Sequence, residues 1–126
     1  MELIARKNVT KKSLPGRVIQ LVVSQSGAVS QSDIMTMGFA HYSAESGPMD
    51  PHRHAEEIVY ILDAKDGWTR YGGTGEEPNQ LGERVTLKPG MTLHYPKGEW
   101  HVFGFDEGGY VDIIFFYSQA DVYSKD

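Results

Sequence analysis

Four side chains in two short segments have the types and spacing needed to bind one divalent metal ion. The first segment holds His52, His54 and Glu57, and the second places His101 after a turn that contains proline and glycine. Imidazole and carboxylate groups suit Fe, Mn, Ni, Zn, Co or Cu. The chain has no cysteine that could replace them as a strong ligand. Together the two segments predict a single divalent transition-metal site, without selecting one metal.

Local chain geometry supports this interpretation of the first segment. In an extended strand alternate residues share a face, so His52 and His54 point the same way and Arg53 points opposite. Two imidazoles on one face can bind an ion at about 2.0–2.1 Å each. Glu57 directly precedes the apolar run 58–62, where an unpaired carboxylate would be costly. A bound metal would remove that cost.

The elements that must position these residues are short and β-rich. Turn residues separate them, and no stretch carries a convincing helical period apart from a short helix predicted at 119–123. Strands are predicted at 17–24, 34–42, 57–62, 68–71, 83–87, 91–95, 100–105 and 110–117, with turns at 72–75 and 88–90. This pattern predicts an all-β sandwich or closed barrel, whose inward side chains either fill the lumen or leave room for one small ligand.

Length, charge and composition narrow the class of protein. With 126 residues the chain is long enough for one domain, and 40% hydrophobic content is ordinary for a globular protein. The net charge of −5 argues against a nucleic-acid partner. No apolar run approaches membrane-spanning length, and residues 1–10 lack a hydrophobic signal core. We therefore expect a cytoplasmic protein without a membrane partner.

The two segments resemble the two conserved motifs of the cupin superfamily. The first motif is usually written Gly-x5-His-x-His-x3,4-Glu-x6-Gly, and the second Gly-x5-Pro-x-Gly-x2-His-x3-Asn. This chain matches them at His52, His54, Glu57, Gly90, Pro96, Gly98 and His101. Phe105 stands where the second motif usually has Asn.

The resemblance implies a single-domain jelly-roll β-barrel over residues 17–118. Residues 1–16 would then be an N-terminal extension or edge strand, and residues 119–126 a C-terminal tail. The resemblance also implies that His52, His54, Glu57 and His101 are the metal ligands.

The first motif departs from the family pattern in its spacing. Gly47 lies one residue too close to His52, only two residues separate His54 from the glutamate, and Ala64 replaces the closing Gly. The shortened loop could present Glu56 instead, because Glu56 shares strand parity with the two histidines. We favour Glu57, because the apolar run after it aligns with the family's strand. If neither carboxylate reaches the ion, a three-histidine site remains, which suits zinc or iron.

His94 and Tyr60 are the candidate catalytic residues outside the ligand set. His94 precedes Pro96 in a predicted strand and could reach the lumen as a proton carrier, and Tyr60 could supply a phenolic acid or base. A hydrogen-bonded structural role is the competing interpretation of both. His41 is assigned to structure, and Arg53 to solvent or a partner subunit.

The predicted function is that of a metal-dependent cupin acting on a small polar molecule. A dioxygenase-type oxidoreductase is favoured, with a metal-dependent lyase or isomerase as the alternative. The alternative to an enzyme is a non-catalytic cupin that binds a small molecule. The apolar run 111–116 predicts a strand buried on both faces, one of which could meet a second protomer in a homodimer.

Overall fold

A computed structural model describes residues 1–73 and 80–118 of the chain. One eight-stranded sheet dominates it, in the order β1-β2-β4-β8-β5-β6, with β3 paired to β2 and β7 paired to β5. All of these pairings are antiparallel except that of β2 with β3. The strands are β1 (Lys12–Leu14), β2 (Arg17–Ser24), β3 (Ser30–Gln31), β4 (Thr36–Ser43), β5 (Glu57–Tyr71), β6 (Val85–Thr86), β7 (Thr92–Tyr95) and β8 (His101–Tyr117).

The described helices are two short 3-10 turns, Arg6–Asn8 and Ala44–Ser46. Among the residues that the structure describes, no helix has the length and apolar character needed to cross a membrane. The predicted all-β jelly-roll class is confirmed. The helix predicted at 119–123 and part of the turn predicted at 72–75 lie outside the described residues.

Two pairs of predicted strands are in fact two continuous long strands, so those boundaries were wrong. Residues 57–62 and 68–71 belong to β5, and residues 100–105 and 110–117 belong to β8. The polar stretch between the halves of β5 stays paired with β8, with register shifts at Ile61/Asp63 and Lys65/Gly67. Such bulges bend a strand without ending it, so each long strand can contribute to both halves of the barrel.

The core lies between the facing surfaces of this bent sheet. Val59 and Ile61 of β5 and Ile113 and Phe115 of β8 are almost fully buried. The expectation that the 111–116 strand is buried on both faces was wrong for the single chain. Burial alternates along it, and Phe116 is 41% exposed, because β8 has the core on one side only.

Candidate metal centre

Backbone hydrogen bonds bring the two motif segments side by side. His52 and His101 form an isolated antiparallel bridge, in which each main-chain N–H donates to the other residue's carbonyl at 3.0 and 2.9 Å. The N–H of Gly98 donates to the carbonyl of His54 at 2.9 Å. Gly98 has a φ of 79°, a left-handed conformation that glycine adopts without steric cost. The turn before His101 is therefore fixed directly to the loop that carries the other two histidines.

The three imidazoles converge on one point. Each of His52, His54 and His101 offers one ring nitrogen, and these atoms all lie within 4.8 Å of one another. The ring centroids are 4.4–5.1 Å apart. His101 is the most buried of the three, at 1% exposure, and Tyr95 stacks on its ring at a centroid distance of 4.0 Å. The sequence-predicted histidines are thus brought together as a group that could hold a metal.

The hydrogen bonds of the rings set their tautomers. In each ring Nδ1 faces a main-chain carbonyl oxygen, which only accepts, so the Nδ1 atoms carry the protons. The Nδ1 to oxygen distances are 3.2 Å for His52 to Asp50, 3.0 Å for His54 to Ala55 and 3.0 Å for His101 to Glu99. In the neutral ring Nε2 then carries the lone pair, which is the form that binds a metal.

The electrostatic surroundings favour neutral rings. Burial lowers the pKa of His52 well below the usual imidazole value, and the neighbouring His101 and His54 lower it further. Burial also lowers the pKa of His54, although the Glu57 carboxylate opposes the shift. At neutral pH both imidazoles are therefore unprotonated at Nε2 and ready to bind a cation.

Glu57 lies beside the three histidines. Its side chain is buried, and Oε1 lies 3.3 Å from Nε2 of His101 and 3.5 Å from Nε2 of His54. Neither Glu57 Oε1 nor His101 Nε2 has a hydrogen-bond partner among the described residues. Buried polar atoms without partners are costly, and a divalent cation would satisfy both at once. Imidazole nitrogens and a carboxylate oxygen are donor types that suit a transition metal.

The alternative carboxylate, Glu56, lies outside the cluster. It is exposed and pairs with Nε2 of His94 at 2.5 Å. The expectation that Glu56 lies on the same strand face as His52 and His54 was wrong. β5 begins only at Glu57, so the loop before it does not follow the alternation of a strand.

The two candidate catalytic residues, His94 and Tyr60, are not brought to the histidines. Glu57, Val59 and Ile61 are the inward residues of β5, so Tyr60 lies on the outer face and is 40% exposed. His94 is the cross-strand partner of Ile58, on that same outer face. Strand alternation therefore corrects the expectation that either residue reaches the lumen. His41 is also outside, in an ion pair with Asp112.

Sequence reasoning missed Tyr117, whose hydroxyl lies 3.3 Å from Nε2 of His54. The register of β5 and β8 places Tyr117 directly opposite Glu57. Tyr117 continues the series of every second residue that includes buried Ile113 and Phe115, so alternation along the strand predicts an inward side chain. Nothing in the local sequence predicts that this strand pairs with residues 60 positions earlier.

A small apolar lumen adjoins the cluster. Its volume is about 20 Å³. The lining residues other than His52, His54 and Glu57 are aliphatic and aromatic apart from one cation, and they are Arg17, Ile19, Ala40, Tyr42, Met49, Phe103, Phe115 and Tyr117. The centre is therefore a buried donor cluster at the wall of a largely apolar barrel.

Comparison with known proteins supports the fold. No protein-family model matches the sequence, and a search of curated proteins finds no relative. Among solved structures, the polyketide cyclase RemF from Streptomyces resistomycificus is similar over 98% of this chain and 82% of its own, with a TM-score of 0.72 and 20% identity. KdgF from Halomonas sp. is similar over 96% of both chains, with a TM-score of 0.66 and 15% identity.

A third similar structure is hydroxypropylphosphonic acid epoxidase from S. wedmorenis, with a TM-score of 0.66 and 11% identity. This chain spans 59% of the epoxidase's length. A further solved structure, that of Fe(II) HppE, is similar to this chain with a TM-score of 0.67. At these identities the likeness establishes the fold, and the fold is that of the cupin superfamily.

Proposed function

We propose that this protein is a metal-dependent enzyme acting on a small molecule. One divalent transition metal would be held by His52, His54, His101 and Glu57. The observation that carries the proposal is the convergence of one ring nitrogen from each of three histidines within 4.8 Å, with the unpartnered Oε1 of Glu57 3.3 Å from Nε2 of His101. A bound metal would supply Lewis-acid activation or redox chemistry to a molecule beside it.

The protein's own side chains would bind and position that molecule. Aromatic and aliphatic lumen residues exclude water and strengthen electrostatic interactions near the metal. Arg17, the one cation among the described lining residues of the lumen, could hold an anionic group of the substrate. The hydroxyl of Tyr117, beside His54, could hold or donate a proton at the reacting atoms.

Dioxygenase-type oxidation is the reaction type that we propose first. Its support is the imidazole and carboxylate donor set, together with the fold likeness to an epoxidase solved with Fe(II). Metal-assisted acid–base chemistry, as in a lyase or isomerase, is the second candidate. It is supported by the Tyr117 hydroxyl at the cluster and by the fold likeness to a polyketide cyclase.

Elemental analysis of the purified protein is the first test, on the wild type and on His52→Ala. His41→Ala is a matched control, because His41 lies outside the cluster in an ion pair with Asp112. We expect near-stoichiometric metal in the wild type and the control, and loss of metal in His52→Ala. Failure of the wild type to take up any divalent metal on titration would refute the proposal.

Oxygen uptake separates the two reaction types. Substrate-dependent oxygen consumption by the iron-loaded protein would support the oxidoreductase. Equal turnover with and without oxygen, lost in Tyr117→Phe, would support the acid–base alternative.

We further propose a cytoplasmic homodimer that associates through the outer face of β5 and β8. Ile58, Tyr60 and Phe116 lie there, each at least 40% exposed, and Ile58 is the cross-strand partner of Phe116. Contiguous exposed apolar side chains favour an interface. Light scattering on the wild type and on Phe116→Glu tests this, with a monomeric wild type as the refuting result.

A further inference from the structure

The lumen beside the metal centre is too small to hold an organic substrate. Its volume of about 20 Å³ is room for roughly one water molecule. If the protein acts on a small organic molecule, as proposed above, most of that molecule must bind elsewhere.

A second cavity, here called the side cavity, lies next to the lumen. Its volume is about 460 Å³, within the range of roughly 300–1,000 Å³ that is usual for small-molecule sites. It shares Met49 and Phe103 with the lumen lining, so these two side chains separate the two spaces. Met49 has a flexible, unbranched side chain that can change rotamer at low cost.

The described residues that line the side cavity are mostly apolar. Three of them, Trp68, Phe103 and Phe105, are aromatic. Trp68 packs directly on the backbone of Gly104, because a Cβ built there would come within 2.3 Å of the indole ring, and the guanidinium of Arg84 lies over the same ring at 4.2 Å from its centroid. Among the described lining residues the charged one is Arg70, which already donates hydrogen bonds to the carbonyls of Gly82 and Leu81 at 2.7 and 3.0 Å.

The indole N–H of Trp68 is buried and has no hydrogen-bond partner within the described part of the chain. It has almost no accessible surface, so it does not open into the side cavity. The cavity therefore offers mainly apolar contacts and is suited to the apolar part of a small molecule.

We propose that the side cavity binds the body of the substrate, an apolar, ring-bearing part of a small molecule. One end of this molecule reaches the metal centre past Met49. This inference rests on the proposed function for its link to the metal, but ligand binding in the side cavity does not require a metal.

Calorimetric titration with 2-naphthol, a flat bicyclic phenol, tests the binding site. The blocking variant is Ala44→Trp, because Ala44 lies on the cavity rim and is exposed, so a larger side chain can cover the opening. The matched control is Ala5→Trp, at the exposed residue directly before the other 3-10 turn. We expect at least tenfold weaker binding in Ala44→Trp and unchanged binding in Ala5→Trp. Equal affinity in all three proteins, or no binding to the wild type, would overturn the proposal.

Proton relaxation of bound 2-naphthol with added Mn²⁺ tests the link to the metal centre. Enhanced relaxation in the wild type, absent in His52→Ala, would place the ligand beside the histidines. Bound Mn²⁺ without enhancement would overturn the link. If no Mn²⁺ or other divalent metal binds, the proposed function fails along with the link, while the calorimetric result still decides whether the side cavity is a ligand site.

Discussion

Replacing Glu57 by Gln should stabilise the metal-free protein and weaken its metal binding. The carboxylate is 4% exposed, and its Oε1 faces Nε2 of His101 at 3.3 Å and Nε2 of His54 at 3.5 Å. In the neutral tautomer that donates Nδ1–H to a carbonyl, the Nε2 atom of each ring is an acceptor. In the metal-free protein, the carboxylate oxygen of Glu57 therefore faces two imidazole acceptors in a buried space, with no donor between them.

The magnitude follows from that geometry. A buried acceptor without a partner costs about 1–3 kcal/mol, and a new amide hydrogen bond contributes about 1 kcal/mol. The amide that Glu57→Gln introduces can donate to either imidazole, so we expect a gain of about 2 kcal/mol in the free energy of unfolding. For a domain of this size that corresponds to a Tm increase of roughly 6–10 °C.

Metal binding should move in the opposite direction. Losing a partner outside the ligand shell already costs about 10–100-fold in metal affinity, so loss of a charged ligand should cost at least about 100-fold. The assays are urea unfolding in the presence of a chelator and competition titration against a chromophoric chelator. Glu56→Gln is the control, because that exposed carboxylate pairs only with His94 among the described residues, and its effect should stay within about 0.5 kcal/mol.

The opposite stability result would refute the reasoning. If metal-free Glu57→Gln is less stable than the wild type, the carboxylate must be paired with a protonated histidine, and the assignment of neutral rings is wrong.

Three further outcomes follow from the structure. His101→Ala should lose the metal and keep the all-β circular dichroism spectrum, whereas metal retained at full stoichiometry would contradict the ligand assignment. The stability of the metal-free protein should fall as pH drops below about 6.5, because the unfolded chain then binds protons that folded His52 and His54, with their lowered pKa values, do not. Urea unfolding between pH 7 and 5 measures this loss, at up to about 1.4 kcal/mol per pH unit for each ring, and a flat profile would contradict it. Arg6→Ala should cost about 1 kcal/mol at neutral pH in urea unfolding, because the guanidinium binds both oxygens of Asp112 at 2.7 and 2.8 Å but is 35% exposed. An unchanged midpoint would show that this link between the N-terminus and β8 adds no stability.

The sequence predicts the all-β class and the histidine group, because both depend on local patterns. His52 and His54 are two residues apart, and the turn before His101 is marked by proline and glycine. What the sequence does not predict depends on pairing between distant strands. Tyr117 reaches His54 only through the register that sets it opposite Glu57.

The remaining errors come from loops and bulges. The alternation that would have favoured Glu56 stops where β5 begins, and a single strand runs through the polar residues that suggested a break after Leu62. Outward alternation along β5 and β7 also removes His94 and Tyr60 from the lumen. The alternation of inward and outward side chains therefore predicts orientation only inside a strand whose ends are already known.

Main-chain hydrogen bonds set the tautomers of the three rings. Their Nδ1 atoms are held by carbonyl oxygens of residues 50, 55 and 99, and no side-chain carboxylate takes part in these hydrogen bonds. Substitutions in the barrel lining can therefore accumulate without altering the tautomers of the rings, as long as the backbone keeps its path. The histidine positions and the side chains that line the lumen can therefore evolve independently. Related proteins could acquire new substrates through changes in the lining while keeping the same arrangement of histidines.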